Sequence, residues 1–116
     1  MAVKSDLGIG ACRPYFNCDV TGSDVLVQTG ETLVYSIDLH NAAAAVGFFL
    51  MFDAAAVADV TIGTTLPDYV LGMIANGNAS QAFHKPLHFI NGLVIAALTT
   101  TGGTSSGAID VSLGIA

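Results

Sequence analysis

The longest unbroken apolar run in this chain, Ala42–Phe52, does most to limit what it can fold into. It is eleven residues long and stops at Asp53. A bilayer-spanning helix needs about 20 apolar residues, so a membrane span is excluded here. A soluble helix is the more serious competitor, because alanine is the best helix former. Gly47 interrupts the run, however, and Phe48, Phe49, Leu50, Met51 and Phe52 fill its second half at consecutive positions, where an amphipathic helix would show a 3.6-residue stripe. The run therefore reads as a connection over Asn41–Ala45 followed by a strand over Val46–Phe52. Val46, Phe48, Leu50 and Phe52 fall on one face of that strand, and Phe49 and Met51 on the other. A strand apolar on both faces lies inside a sandwich or against another subunit, so Phe48, Phe49 and Met51 are candidates for the core or for an oligomer contact.

The segments around it carry β signals. Leu33, Tyr35, Ile37 and Leu39 alternate with Val34, Ser36, Asp38 and His40, which puts the first set inside. At the end of the chain Ile109, Val111, Leu113 and Ile115 alternate with Ala108, Asp110, Ser112 and Gly114 in the same way. Turn signals fall at Thr29-Gly30, Asn76-Gly77-Asn78, Asn91-Gly92 and in the Gly/Ser/Thr-rich stretch 99–107. Further strands are expected at 69–75, 83–90 and 93–99. Residues 53–67 read as a long loop ended by Pro67, with room for a helical turn at Ala54–Ala58. Some seven short strands with frequent turns describe an all-β antiparallel sandwich or jelly roll. Residues 24–116 form that domain. Residues 1–23, with Gly8, Gly10, Pro14 and Gly22 and no sustained period, read as an irregular N-terminal arm. An arm that long is uncommon unless it docks on something, and Lys4, Arg13, Tyr15 and Phe16 are its candidate contact residues.

Composition narrows the function. Of 116 residues 53% are hydrophobic and only 10% are charged, against about 25% in an ordinary domain. So little charge suggests that sister subunits cover part of the surface. Three Lys+Arg against nine Asp+Glu give a net charge of −6, which argues against nucleic acid and against an anionic membrane as partners. The start of the chain lacks the apolar core of a secretory signal. Cys12 and Cys18 are the only cysteines, and their spacing leaves free thiols, a small disulfide loop or a metal contact all open.

No constellation of catalytic residues emerges. There is no GxSxG, P-loop, GxGxxG or HExxH motif, and the expectation is a protein that is not an enzyme and needs no cofactor or metal. His84 and His88 have the spacing of a helical metal pair, but Pro86 lies between them and on a strand they stand roughly 13 Å apart. Asp38 and His40 share a strand face at about 7 Å, too far for a dyad. Asp53, Asp59 and Asp68 flank one loop without the calcium-loop pattern, and read more simply as turn caps.

A longer pattern runs from residue 33 to about 103. A strand ends in Asn41, and after a small-residue loop an aromatic-rich strand, Phe49–Asp53, ends in aspartate. Then come Val60–Pro67, the Gly77 turn, and Phe89, Gly92 and Leu93 leading to Ile95-Ala96 and Thr99-Thr100. This pattern resembles small structural proteins of tailed bacteriophage virions. The resemblance implies a small β-sandwich displayed on a virion assembled in the host cytoplasm, often as a trimer. The reading taken from it is a capsid decoration (cement) protein that contacts the major capsid protein or other virion proteins. The alternatives are a tail or fibre component, or a carbohydrate-binding adhesin module. The resemblance does not extend to the arm and assigns no catalytic or ligand-binding residue.

Overall fold

The computed structural model describes residues 13–116. They form eight strands: β1 (Arg13–Val20), β2 (Val25–Thr29), β3 (Thr32–Asn41), β4 (Gly47–Asp53), β5 (Tyr69–Met73), β6 (Asn78–Phe89), β7 (Gly92–Leu98) and β8 (Ile109–Ile115). A single 3-10 turn, Val57–Asp59, lies in the long β4–β5 connection. The strands build two four-stranded sheets, in the orders β1-β8-β3-β6 (sheet A) and β2-β7-β4-β5 (sheet B). All ladders are antiparallel. Every consecutive pair of strands except β4–β5 crosses between the sheets, which makes this a jelly-roll sandwich.

Local chemistry accounts for the strand ends. Gly30 supplies a positive φ of 81° between β2 and β3, and Asn76 supplies 55° before β6, both in the region glycine and asparagine tolerate best. Gly92 opens β7 at φ 150°.

The main core lies between the sheets. Ile37 and Leu39 of β3 and Ile109, Val111, Leu113 and Ile115 of β8 face Phe49 and Met51 of β4 and Leu93, Ile95 and Ala97 of β7. The opposite face of β4 and β7 is also apolar. Leu50, Phe52, Val94, Ala96 and Leu98 form a second buried cluster, closed by Ala54 and Val60 of the β4–β5 connection, with Phe48 and Ile62 half-buried at its side. The two-faced apolar strand read from the sequence is therefore covered on both sides by its own chain. Phe49 and Met51 lie between the sheets, and Phe48 lies on the outer face of sheet B.

Two features differ from the sequence expectation. Arg13–Val20, read as part of the arm, is a strand of sheet A that pairs with β8 from Arg13↔Ile115 to Val20↔Ile109, and Val20 is fully buried. Its partner is the last strand of the chain, so no local signal marks it. In β3 the alternation changes parity. Thr32 and Val34 point inward, and after them Ile37, Leu39 and Asn41 do, because the ladder shifts register between Val34 and Ser36 against both neighbours. Leu33 and Tyr35 are only half-buried as a result. A β-bulge of this kind cannot be read from period two alone. On β6, Phe83–Pro86 stand opposite Tyr35 alone, since Leu87 faces Val34 and Ala82 faces Ser36. Pro86 fits there because β6 is an edge strand.

Candidate functional site

The outward-facing side chains of sheet A form the most developed surface feature among the described residues. Register and alternation fix two rows. Phe16, Ser112, Asp38 and Ser80 stand side by side on β1, β8, β3 and β6. One step along, Asp110, His40 and Asn78 do the same on β8, β3 and β6, with Cys18 of β1 beside them. Directly opposed side chains in such rows have Cβ atoms about 5 Å apart, close enough to share one ligand. Together they line an open groove of about 460 Å³ across the four strands. Its floor rests on Leu39 and Val111, whose side chains belong to the core beneath.

The groove has a mainly apolar surface with polar side chains set across it, and part of that polar set is prearranged. The Ser80 hydroxyl donates to Asp38 Oδ1, and His40 Nδ1 donates to Asn78 Oδ1 at 2.9 Å in the tautomer that satisfies both groups. These bonds use one acceptor of Asp38 and one of Asn78. Asp110 and Ser112 also line the groove, and with the second oxygen of Asp38 and the amide nitrogen of Asn78 they offer further donors and acceptors. Phe16 forms one wall, and its ring is 71% exposed. The sequence singled out Asp38, His40 and Phe16, but not Asp110, Asn78 or Ser112. What joins them is cross-strand register among four non-consecutive strands.

The second concavity, of about 290 Å³, sits where the β4–β5 connection meets the β6–β7 turn. It gathers Asp53, Asp59 and Asp68, the three aspartates that the sequence places around one loop. Two of them already have work. Asp68 Oδ2 accepts the Asp53 N–H at 2.7 Å, and Asp53 Oδ1 accepts the Asn91 N–H at 2.7 Å. These carboxylates tie the loop to the sheet. No group of three His, Cys, Asp or Glu side chains able to hold a metal ion occurs among the described residues.

Of the arm residues, Lys4 and Cys12 lie outside the described residues. Arg13 is exposed, and its guanidinium donates to Gln28 Oε1 of β2. Tyr15 packs against the core, and its hydroxyl accepts from Asn17 Nδ2 at 3.3 Å. Phe16, on the opposite face of the strand, is exposed in the groove wall. His84 and His88 both sit on β6 but stay apart, His88 lying 3.1 Å from Glu31 on the surface. No described helix is long and apolar enough to cross a membrane.

No family model matches the chain, and no curated protein matches it in sequence. Among solved structures the chain is similar to the Tobacco streak virus coat protein in its C2 crystal form. The TM-score is 0.43 and the identity 17%, over 100% of this chain and 83% of that one. A structure of the Tobacco streak virus coat protein dimer gives a TM-score of 0.35 and 12% identity, over 98% and 83% of the two chains. Likeness at this level carries no functional argument, and the sandwich described above rests on the chain's own strand order.

Proposed function

We propose that this protein is a virion structural protein, a capsid decoration (cement) protein that assembles as a homotrimer on the heads of tailed-phage-type particles. The resemblance over residues 33–103 supports the class. The observation that carries the reading is that five of the eight exposed large hydrophobic side chains among the described residues lie around β5. Val57, Leu66, Val70 and Ile74 are exposed on β5 or in the connections on either side of it, and exposed Val46 immediately precedes β4, the strand that pairs with β5. Leu66 and Ile74 are 86% and 75% exposed. The β5 edge itself, Tyr69–Met73, contains no charged residue and no proline. The edge strands of sheet A are guarded, β1 by Arg13, Pro14 and a register shift and β6 by Lys85, Pro86 and the bulge. An unguarded edge flanked by apolar side chains is a surface meant to be covered. Covering about 1,000 Å² of it per subunit gives a gross gain of roughly 25 kcal/mol, before association and ordering costs are subtracted.

Light scattering on the purified protein at micromolar concentration is expected to show a trimer. Replacing Leu66 and Ile74 together by Lys is expected to shift it to monomer without loss of β structure by circular dichroism. A monodisperse monomer of the parent chain would overturn the oligomeric reading.

On this reading the stretch before β1, with Lys4, reaches the neighbouring capsid protein, beside the exposed Arg13 at the start of β1. Because β1 is part of the sandwich, the informative truncation removes residues 2–11 only. That variant is expected to stay folded and trimeric while binding capsids at least several-fold more weakly. Undiminished decoration would remove the arm from the contact.

A further inference from the structure

We propose that the groove on the outer face of sheet A is a carbohydrate-binding site, specific for neutral sugars. The inference does not depend on the decoration reading. It rests on the other sheet, away from the β5 edge.

The volume of about 460 Å³ is within the range of small-molecule sites. The lining decides the class of ligand. It includes no Lys or Arg, and it includes two carboxylates, Asp38 and Asp110. Phosphate, sulfate and carboxylate ligands are therefore repelled. A wholly apolar ligand would match the apolar part of the lining but would strip water from Asp38, Asp110 and Asn78 without replacing its hydrogen bonds, which is costly.

Between the two remaining candidates, a cationic side chain and a sugar, the hydrogen-bond pattern favours the sugar. A cation offers donors only and needs acceptors only. Here acceptors and donors interleave: Asp38 beside Ser112 along one row, and Asp110, His40 and Asn78 along the next. Each sugar hydroxyl both donates and accepts, so adjacent hydroxyls can give a proton to a carboxylate and take one from an amide or serine at neighbouring positions. The Ser80–Asp38 and His40–Asn78 bonds hold three of these groups in place before any ligand arrives, which lowers the ordering cost of binding. Phe16 supplies the apolar wall that the C–H face of a pyranose requires, and nothing in the described fold covers its ring.

The test uses the full chain, fluorescently labelled, on an array of neutral and sialylated glycans, with an oligo-arginine peptide as the cationic probe. The sugar giving the strongest neutral signal is then titrated calorimetrically. Saturable binding to neutral glycans, competed by the free sugar, is expected. Asp110→Asn and Phe16→Ala are each expected to weaken it by about tenfold or more. Both positions point outward, so unchanged circular dichroism and an unchanged oligomeric state will show that the fold is kept. Lys85→Ala, outside the groove, should bind as the parent does. Lack of competable binding to any neutral glycan, affinity equal to the parent's in both groove variants, or capture of the oligo-arginine peptide in place of glycans would overturn the assignment.

Discussion

Gly92→Ala is expected to yield a chain that does not reach the native state, or loses about 4 kcal/mol or more of stability if it does. Gly92 opens β7 directly after the β6–β7 turn, paired with Thr29 of β2. Two independent obstacles meet there. Its φ of 150° belongs to a region that L side chains rarely adopt. A Cβ on that backbone would also stand 2.5 Å from Ala54 O and 2.7 Å from Gln28 O. Both are main-chain atoms of segments anchored nearby: the Ala54 N–H donates to Gly92 O at 3.2 Å, and the Gly30 N–H donates to Asn91 O at 2.8 Å. Neither carbonyl can swing aside without breaking a junction that joins β2, β7 and the start of the β4–β5 connection. Gly30→Ala is the comparison that separates the two obstacles. Gly30 has φ 81° but nothing within 4 Å of its would-be Cβ, so only the conformational penalty applies, about 1 kcal/mol. Urea titrations of both variants measure the difference. Similar midpoints for the two would show that the crowding around Gly92 is relieved by a backbone shift.

Asn41→Asp is expected to cost about 4 kcal/mol although the two side chains have nearly the same shape. Asn41 ends β3 and is completely buried. Its Nδ2 donates to Ala45 O at 2.8 Å and to Ile74 O at 3.0 Å, and its Oδ1 accepts the Ala43 N–H at 3.1 Å. One side chain thus ties together the β3–β4 loop and the β5–β6 turn. An aspartate would place a buried carboxylate oxygen against two carbonyl oxygens, with no donor for either. Asn41→Ala leaves the same backbone groups unpaired without adding charge, and should cost less, about 2–3 kcal/mol. The order of melting temperatures, parent above Ala above Asp, is the readout, taken at one fixed protein concentration because association shifts it. An aspartate variant melting with the parent would mean that water reaches these carbonyls and that the buried amide is not what joins the two loops.

Particular stretches explain how far the sequence could be read. β8 was fully legible: Ile109, Val111, Leu113 and Ile115 are the buried set its alternation indicates, and no bulge interrupts it between Leu113 and Val111. The strand 46–52 was legible as a two-faced strand, but what covers its second face was not. Ala54, Val60 and Ile62 follow no period, and only the return of the loop brings them onto Leu50 and Phe52. β3 was legible as a strand and misread in parity, because one bulge at Tyr35 moves Val34 inward while keeping Ile37 and Leu39 there. β1 was invisible because its place is set by a partner almost a hundred residues away along the chain. The groove failed to show for a related reason. Asp38 and His40 declare a common face from their spacing, whereas Asp110, Ser112 and Asn78 join them only through the registers of β8 and β6 against β3.

The position of β8 between β1 and β3 has a consequence for how the molecule is made. Until Ile109–Ile115 has left the ribosome, β1 has no neighbour and β3 is bonded on one side only. Sheet A therefore cannot close during synthesis. Of the described strands, β1 is made first and has no sheet partner until β8 arrives. Translation that stops short of β8 leaves a split sheet with its apolar interior open, a species suited to aggregation or proteolysis and unable to present a finished surface. The winding of the chain thus ties the closure of sheet A to the synthesis of β8.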